Sequence, residues 1–240
     1  MKDRHPGISK NPRFATWLLI LVMALGQWTT HVIAPGCAQA SEKRMEKDAD
    51  GDGKTDQVAW FDERGKIMRL EIDGNHDGKM DRFQYYEHEK PVRIERDTDY
   101  DGRIDCVDFL KDGKRTWQER MRGTGRVYQV TLFDRQGLPS QLKKDTTGNG
   151  RFDSLYRFEN GSLASGTRDT NGNDRPNVWL TFKNGKPTEQ KTDTDEDGRF
   201  ERIVQFDREG LPQKSMHDLD KDGRMEVVRF YAKGQLVREE

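Results

Sequence analysis

Asp97–Asp105 reads DTDYDGRID, with acidic side chains at positions 1, 3, 5 and 9 and Gly102 at position 6. Related nine-residue stretches begin at Asp48 (DADGDGKTD), Asp73 (DGNHDGKMD), Asp145 (DTTGNGRFD), Asp169 (DTNGNDRPN), Asp193 (DTDEDGRFE) and Asp218 (DLDKDGRME). An eroded copy beginning at Arg120 (RMRGTGRVY) keeps Gly125 and none of the acidic residues. The starts lie 23 to 25 residues apart. Near-copies at a fixed period mark a repeat protein in which each copy is one structural unit.

The spacing of the acids carries chemistry. A hard cation such as Ca²⁺ takes about six to eight oxygen ligands, and carboxylates on alternate residues of a tight loop converge on one point. A glycine at position 6 permits the sharp bend, and the carbonyl at position 7 can add an oxygen. The pattern matches the first nine positions of an EF-hand loop and then departs from it. Position 12 holds Ala59, Gln84, Asp108, Thr131, Tyr156, Leu180, Val204 and Arg229, not the glutamate an EF-hand uses. Position 9 is therefore expected to close the cage. The candidate Ca²⁺ ligands are Asp48, Asp50, Asp52 and Asp56; Asp73, Asn75, Asp77 and Asp81; Asp97, Asp99, Asp101 and Asp105; Asp145, Asn149 and Asp153; Asp193, Asp195, Asp197 and Glu201; and Asp218, Asp220, Asp222 and Glu226. The simpler reading is that Asp and Asn favour turns through bonds to their own backbone. It explains one acid per turn. It does not explain four carboxylates in one loop, which repel one another without a cation.

Between the loops the pattern is β. Position 11 is apolar in every copy (Val58, Phe83, Val107, Val130, Leu155, Trp179, Ile203, Val228), and so is position 14 (Phe61, Tyr86, Leu110, Phe133, Phe158, Phe182, Phe206, Tyr231). Enrichment in β-branched and aromatic residues favours strands. The gap of three departs from a strict two-residue alternation and predicts a bulge or strong twist there. Turns follow, with Asn160-Gly161 and Asn184-Gly185 as two-residue hairpin signals and Glu87–Lys90 as the one turn without glycine. A second, more polar strand leads into the next loop. Eight loop–strand–turn–strand units make about sixteen short strands with no room for substantial helix. The expected fold is all-β: tandem β-hairpin repeats in a curved or solenoid-like antiparallel meander, with a β-propeller as the alternative.

Ahead of the repeats, Lys2, Arg4, Lys10 and Arg13 precede the apolar run Phe14–Leu25, and Ala38-Gln39-Ala40 supplies a small-x-small cleavage pattern before Ser41. Residues 1–40 read as a signal peptide, followed by one repeat domain over 41–240. A rival reading is a lipoprotein signal that leaves Cys37 as an anchor. Twelve apolar residues are too few for a membrane span. The expected location is the periplasm or the exterior. The leader takes four basic residues and one acidic residue, leaving 38 basic against 42 acidic. No long block of one sign predicts nucleic-acid or membrane binding. Cys106 alone remains, so no intramolecular disulfide forms in the mature part.

The full unit, as in DTDEDGRFERIVQFDREGLPQ from Asp193, resembles acidic-loop hairpin repeats of exported bacterial proteins. Its DxDxDGxxD loop resembles the calcium loops of integrin-type propeller repeats, and its acidic spacing is similar to thrombospondin type 3 repeats. Turns such as Phe158–Leu163 also resemble tyrosine-aspartate and MORN-like hairpin repeats over a short stretch. The resemblance implies calcium binding and a scaffold role, and it implies no reaction.

No catalytic constellation is expected. His76, His88 and His217 stand alone, and no Ser-His-Asp order, CxxC or HExxH occurs. His76, at position 4 of its loop, is expected to point outward, Asp108 to be a surface strand residue, and Cys106 a packed small hydrophobe. Trp60, Trp117 and Trp179 are expected in the core, with exposure to a glycan or protein as the alternative. The leading function is a calcium-stabilised structural or interaction module with an unknown protein or glycan partner. The alternatives are a calcium-responsive regulator and a carbohydrate- or protein-binding module without obligatory calcium.

Overall fold

The computed structural model describes residues 43–240 apart from residue 124, so the expected signal peptide and Cys37 lie outside the described residues. The described residues form strands and turns without helix. A lone strand, β1 (Lys43–Lys47), precedes the first acidic loop and brings the total to seventeen. Hairpins follow: β2 (Gln57–Phe61) with β3 (Ile67–Ile72), β4 (Arg82–Glu87) with β5 (Lys90–Arg96), β6 (Cys106–Lys111) with β7 (Lys114–Arg122), and β8 (Arg126–Phe133) with β9 (Pro139–Lys144). Then come β10 (Ser154–Glu159) with β11 (Ser162–Arg168), β12 (Val178–Lys183) with β13 (Lys186–Thr192), β14 (Arg202–Phe206) with β15 (Pro212–His217), and β16 (Val227–Ala232) with β17 (Gln235–Glu239).

Every ladder is antiparallel and joins strands adjacent in the chain, so the repeats make one open meander of seventeen strands. A propeller would divide into separate blades, and no such break occurs. All the acidic loops fall along one long edge of the sheet, and all the hairpin turns along the other, because each loop and each turn reverses the chain once.

The bulge lies where the apolar spacing places it. In every hairpin the register shifts between positions 13 and 14, as at Trp60/Phe61, Phe109/Leu110 and Phe230/Tyr231. The extra residue belongs to the facing strand: Trp60 pairs with Arg69 and Phe61 with Ile67, leaving Met68 between them. The first strand of each hairpin therefore alternates without interruption, and an odd gap of three sends positions 11 and 14 to opposite faces. Hydroxyls serve two of the bulges. Thr116 donates to the Phe109 carbonyl at 3.0 Å and Ser140 to that of Leu132 at 3.2 Å.

A single layer has two wet faces and no enclosed core. Only Val58, Cys106, Val107, Val178 and Val204 are buried apolar residues among those described. Covering comes from long polar side chains instead. One row across the first seven strands alternates arginine and aromatic residues in register: Arg44, Trp60, Arg69, Tyr85, Arg93, Phe109, ending on Trp117. The guanidinium of Arg44 lies 5.2 Å from the Trp60 ring, Arg69 5.7 Å and Arg93 5.6 Å from Tyr85, and Phe109 stacks on Trp117 at 4.4 Å. Such contacts are worth about 0.5–1 kcal/mol each at exposed sites. Trp60 and Trp179 are half-buried and Trp117 is exposed, which corrects their expected place in a core. Cys106 is packed and buried as expected.

On the other face the expectation for Asp108 is overturned. It is 1% exposed, and its carboxylate accepts from Arg96 at 2.5 Å and Gln118 at 2.9 Å and pairs with Arg115 at 3.0 Å. An acid inside a strand escapes burial of an unpaired charge only with such partners.

Candidate metal loops

The backbone of each loop is organised by its own carboxylates. The position-1 acid sits beneath the loop: Asp73, Asp97, Asp145, Asp193 and Asp218 are all buried. Its two oxygens accept amide N–H groups from the far side of the bend. Asp145 takes Gly148 N–H at 2.6 Å and Gly150 N–H at 2.8 Å, and Asp218 takes Lys221 N–H at 2.7 Å and Gly223 N–H at 2.8 Å. The position-6 glycines have φ near +90°, as at Gly102 and Gly198, a region open to glycine at low cost. Positions 3 and 5 each accept the amide two residues on, as Asp220 does from Asp222 and Asp222 from Arg224. Asp220 and Asp222 are themselves exposed.

Position 9 accepts the amide of position 2, which ties the two ends of the loop. Leu219 N–H donates to Glu226 at 2.7 Å and Gly74 N–H to Asp81 at 2.7 Å. Where position 2 is threonine its hydroxyl adds a second bond: Thr98 to Asp105 at 2.6 Å, Thr146 to Asp153 at 2.9 Å, Thr194 to Glu201 at 2.7 Å, and Thr170 to Asn177 at 3.0 Å. The recurring threonine is a supporting residue that the ligand spacing alone does not reveal.

Convergence is complete in two loops. Asp193, Asp195, Asp197 and Glu201 bring one oxygen each within 4.8 Å of one another, and so do Asp218, Asp220, Asp222 and Glu226. In the other two four-acid loops three residues gather: Asp48, Asp50 and Asp52, and Asp97, Asp99 and Asp101. Asp105 stays with Thr98 at the base of its loop, and Asp56 groups with Asp50 and His76. Glutamate at position 9 is one methylene longer than aspartate, which lets it hold the position-2 amide and still reach the cluster. Position 9 thus joins the other three acids of its loop in the two glutamate loops. Of the other candidates, Asp73 accepts Gly78 N–H and Asp77 accepts Lys79 N–H and the Asn75 side chain, while Asp145 and Asp153 hold their loop with Asn149 accepting Arg151 N–H.

Electrostatics mark the crowded loops. Burial and the adjacent Asp101 carboxylate push Asp99 above its ordinary value of 3.8. Hydrogen bonds do the opposite elsewhere: the Ala49 amide lowers Asp56, and the Lys79 amide lowers Asp77. Apart from the Asp50–Asp56–His76 group, the clusters are all-oxygen and partly exposed, a donor set that fits a hard divalent cation.

Adjacent loops touch. His76 does not point outward, as its place in the bend predicts, but back to the preceding loop, and Glu196 and Lys221 at the same position do likewise. His76 Nδ1 lies 3.1 Å from Asp50 and 3.0 Å from Asp56. Glu196 accepts from Asn171 at 2.7 Å and also from Asn173, and Lys221 donates to Asp195 at 3.0 Å. Position 7 reaches forward: Arg103 to the Gly123 carbonyl at 2.5 Å, Arg126 to that of Gly148 at 2.9 Å, Arg151 to Asp174 at 2.8 Å, and Arg199 to the Asp222 carbonyl at 2.9 Å. Position 7 is Lys or Arg in all eight copies, a signal present in the sequence that the ligand pattern overshadows.

The eroded copy has a different frame from the expected one. Position-1 amides donate to the preceding position-9 carbonyl, as Asp97 does to Asp81 and Asp145 to Tyr128, both at 2.8 Å. Met121, not Arg120, makes that bond to Asp105, also at 2.8 Å. The eroded loop starts at Met121 and is one residue shorter, so β7 runs on to Arg122 and β8 begins at Arg126. Without a position-1 carboxylate to span it, the bend tightens, and Gly125 N–H bonds the Arg122 carbonyl at 2.7 Å.

No family model matches the chain, and no curated protein matches it. Among solved structures, it is similar to part of the accessory secretory protein 1, 2 and 3 structure of Streptococcus pneumoniae, at 20% identity over 40% of this chain and 18% of that one, with a TM-score of 0.32. Similarity to a variant of S. aureus TarM in complex with ligands is at 13% identity over 51% and 21%, with a TM-score of 0.28. A porin-like protein from Bacteroides uniformis aligns at 11% identity over 84% and 94%, with a TM-score of 0.23. The chain spans about a fifth of the length of the first two. Scores this low carry no argument for fold or function. Among the described residues, no helix is long and apolar enough to cross a membrane.

Proposed function

We propose that the chain is an exported, calcium-stabilised repeat scaffold whose sheet presents a surface to a protein or glycan partner. The observation that carries this reading is the convergence of four carboxylates within 4.8 Å in the loops at Asp193 and Asp218. Carboxylates so close repel one another unless a cation joins them. In that role Asp193, Asp195, Asp197, Glu201 and their Asp218-loop counterparts hold Ca²⁺, and the Asp48 and Asp97 loops hold it with three gathered acids. Calcium then neutralises the loop edge of a sheet that has little apolar core. The arginine–aromatic row from Arg44 to Trp117 is the surface that supports a partner role. Export rests on the leader pattern of residues 1–40, with cleavage before Ser41 or lipidation of Cys37 as its two forms.

Calorimetric titration of residues 41–240 tests the calcium reading, together with melting in calcium and in chelator. At about 1 mM free calcium, a site with Kd of roughly 10–100 μM adds about 1.4–2.7 kcal/mol. The expected result is uptake of several ions and a Tm that falls sharply in chelator and recovers with calcium. No uptake at millimolar calcium, with melting indifferent to chelator, leaves the loops as plain turns.

A further inference from the structure

Counting acids within each loop ranks the loops at Asp48, Asp97, Asp193 and Asp218 together and places the Asp169 loop near the bottom, with Asp169 as its only carboxylate at a ligand position. The contacts between loops disturb that ranking. The side chain at position 4 of one loop enters the ligand set of the loop before it in three separate places, each time on the position-3 residue: His76 on Asp50, Glu196 on Asn171, and Lys221 on Asp195. The left-handed backbone shared by His76, Glu196 and Lys221, with φ of 61°, 63° and 65°, aims all three the same way.

We propose that a charged fourth residue in one loop sets the divalent-cation affinity of the loop before it, so that Lys221 weakens the Asp193 site and Glu196 supplies the Asp169 site with a carboxylate its own loop lacks. This deepens the calcium reading above and rests on it.

The chemistry follows from the charges. The Lys221 ammonium is a tethered cation bonded to a carboxylate that the divalent ion needs, so calcium must displace it and then bind beside it. Among the described residues no lysine or arginine pairs with a carboxylate of the Asp97 or Asp218 ligand set; the forward-reaching Arg199 meets the Asp222 backbone carbonyl, while Lys221 meets the Asp195 carboxylate itself. At the Asp169 loop the sign reverses. Glu196 collects the amide NH2 groups of both Asn171 and Asn173 on one oxygen, so two partial positive charges already converge on a carboxylate there. A cation replacing them meets Asp169, the two amide oxygens and Glu196.

The test reads each loop separately. In every acidic loop the position-6 amide donates to the position-1 carboxylate, as Gly198 does to Asp193, Gly223 to Asp218 and Asp174 to Asp169. The backbone amide resonances of Gly102, Asp174, Gly198 and Gly223 are followed by NMR during calcium titration of residues 41–240. Gly102 and Gly223 are expected to shift at the lowest calcium, with Gly198 needing about tenfold more. Lys221→Met should bring Gly198 level with Gly223. Glu196→Gln should raise the calcium needed at Asp174 about tenfold and move Gly198 less. Glu196→Asp, which keeps the charge on a shorter arm, should fall between.

If Gly198 titrates with Gly223 in the unaltered chain, or if neither variant moves its reporter while Gly102 still responds, the cross-loop proposal is overturned and the calcium reading stands. If no position-6 amide responds to calcium, both fall.

Discussion

Asp108 and its arginines show what a single-layer sheet does with charge. Its carboxylate is sealed, while the Arg96 and Arg115 side chains keep 27% and 41% of their surface in water. The pair is therefore only half desolvated, and removing the acid frees the arginines to hydrate. Asp108→Ala is expected to cost about 2 kcal/mol, below the range of a fully buried pair, by urea denaturation. A cost under 0.5 kcal/mol would mean that the arginines carry the strand by packing alone. His88 and Glu89 pose the converse case. Both have positive φ, 48° and 62°, in the two-residue turn that Asp112-Gly113, Asn160-Gly161, Asn184-Gly185 and Lys233-Gly234 make elsewhere. The glutamate stands where the others have glycine. Replacing His88-Glu89 by Asn-Gly should raise stability by about 1 kcal/mol and the Tm with it. An unchanged Tm would show that the turn bears no strain.

At the scale of the loop, carboxylates act twice. Those at positions 1 and 9 span the bend through amide bonds, and those at positions 3 and 5, bonded like Asp220 and Asp222 to the amide two residues on, stand exposed where a cation can reach them. The two roles separate by mutation. Asp101→Ala should abolish most of the calcium-dependent gain in Tm from its loop while changing the Tm in chelator little. Asp97→Ala should lower the Tm in both conditions, because Gly102 N–H loses its 2.7 Å acceptor. Equal effects of the two in chelator would erase the distinction. Acid gives a second separation. Asp56, Asp77 and Asp195 have pKa values below 3.8 in the folded chain, through the Ala49 amide, the Lys79 amide and the Lys221 ammonium respectively. A carboxylate whose pKa is depressed by folding stabilises the fold above its unfolded value and loses that contribution as pH falls through the folded one. In chelator the Tm should therefore hold above about pH 5 and drop as pH falls below 3.8. A chelated protein whose Tm rises in that window would mean that repulsion among groups like Asp99 outweighs the amide bonds.

The whole molecule is a one-dimensional stack. Each hairpin pairs only with its neighbours, so stability is a sum of unit and interface terms and not the property of one core. Hydrogen exchange should be fastest at β1 and β17, whose residues are all exposed, and slowest around β6, where Cys106, Val107 and Asp108 are buried side by side. Calcium should slow exchange in the acidic loops and leave the eroded loop after Met121 unchanged. Uniform protection from end to end would contradict a modular stack and indicate all-or-none unfolding.

Much of this architecture is legible in the residues. The 24-residue period, the position-11 and position-14 apolar pairs and the glycine turns are local facts, and they suffice for hairpin repeats, an all-β chain and the bulge. The basic residue at position 7 is equally local, though its meaning is not. The extra strand β1 escapes a reading tied to repeat units because it precedes the first of them. The frame of the eroded copy also escapes, since Gly125 aligns with the other glycines while the hydrogen bond that defines the loop start belongs to Met121. What only the tertiary structure decides is where each polar side chain ends. Asp108 is buried because Arg96 and Arg115 close over it, and His76, Glu196 and Lys221 reach the preceding loops because the sheet sets consecutive bends side by side. Sequence spacing places ligands within one loop, but the distance between two loops comes from strand pairing across the whole repeat, and the electrostatics of neighbouring sites follow from that distance.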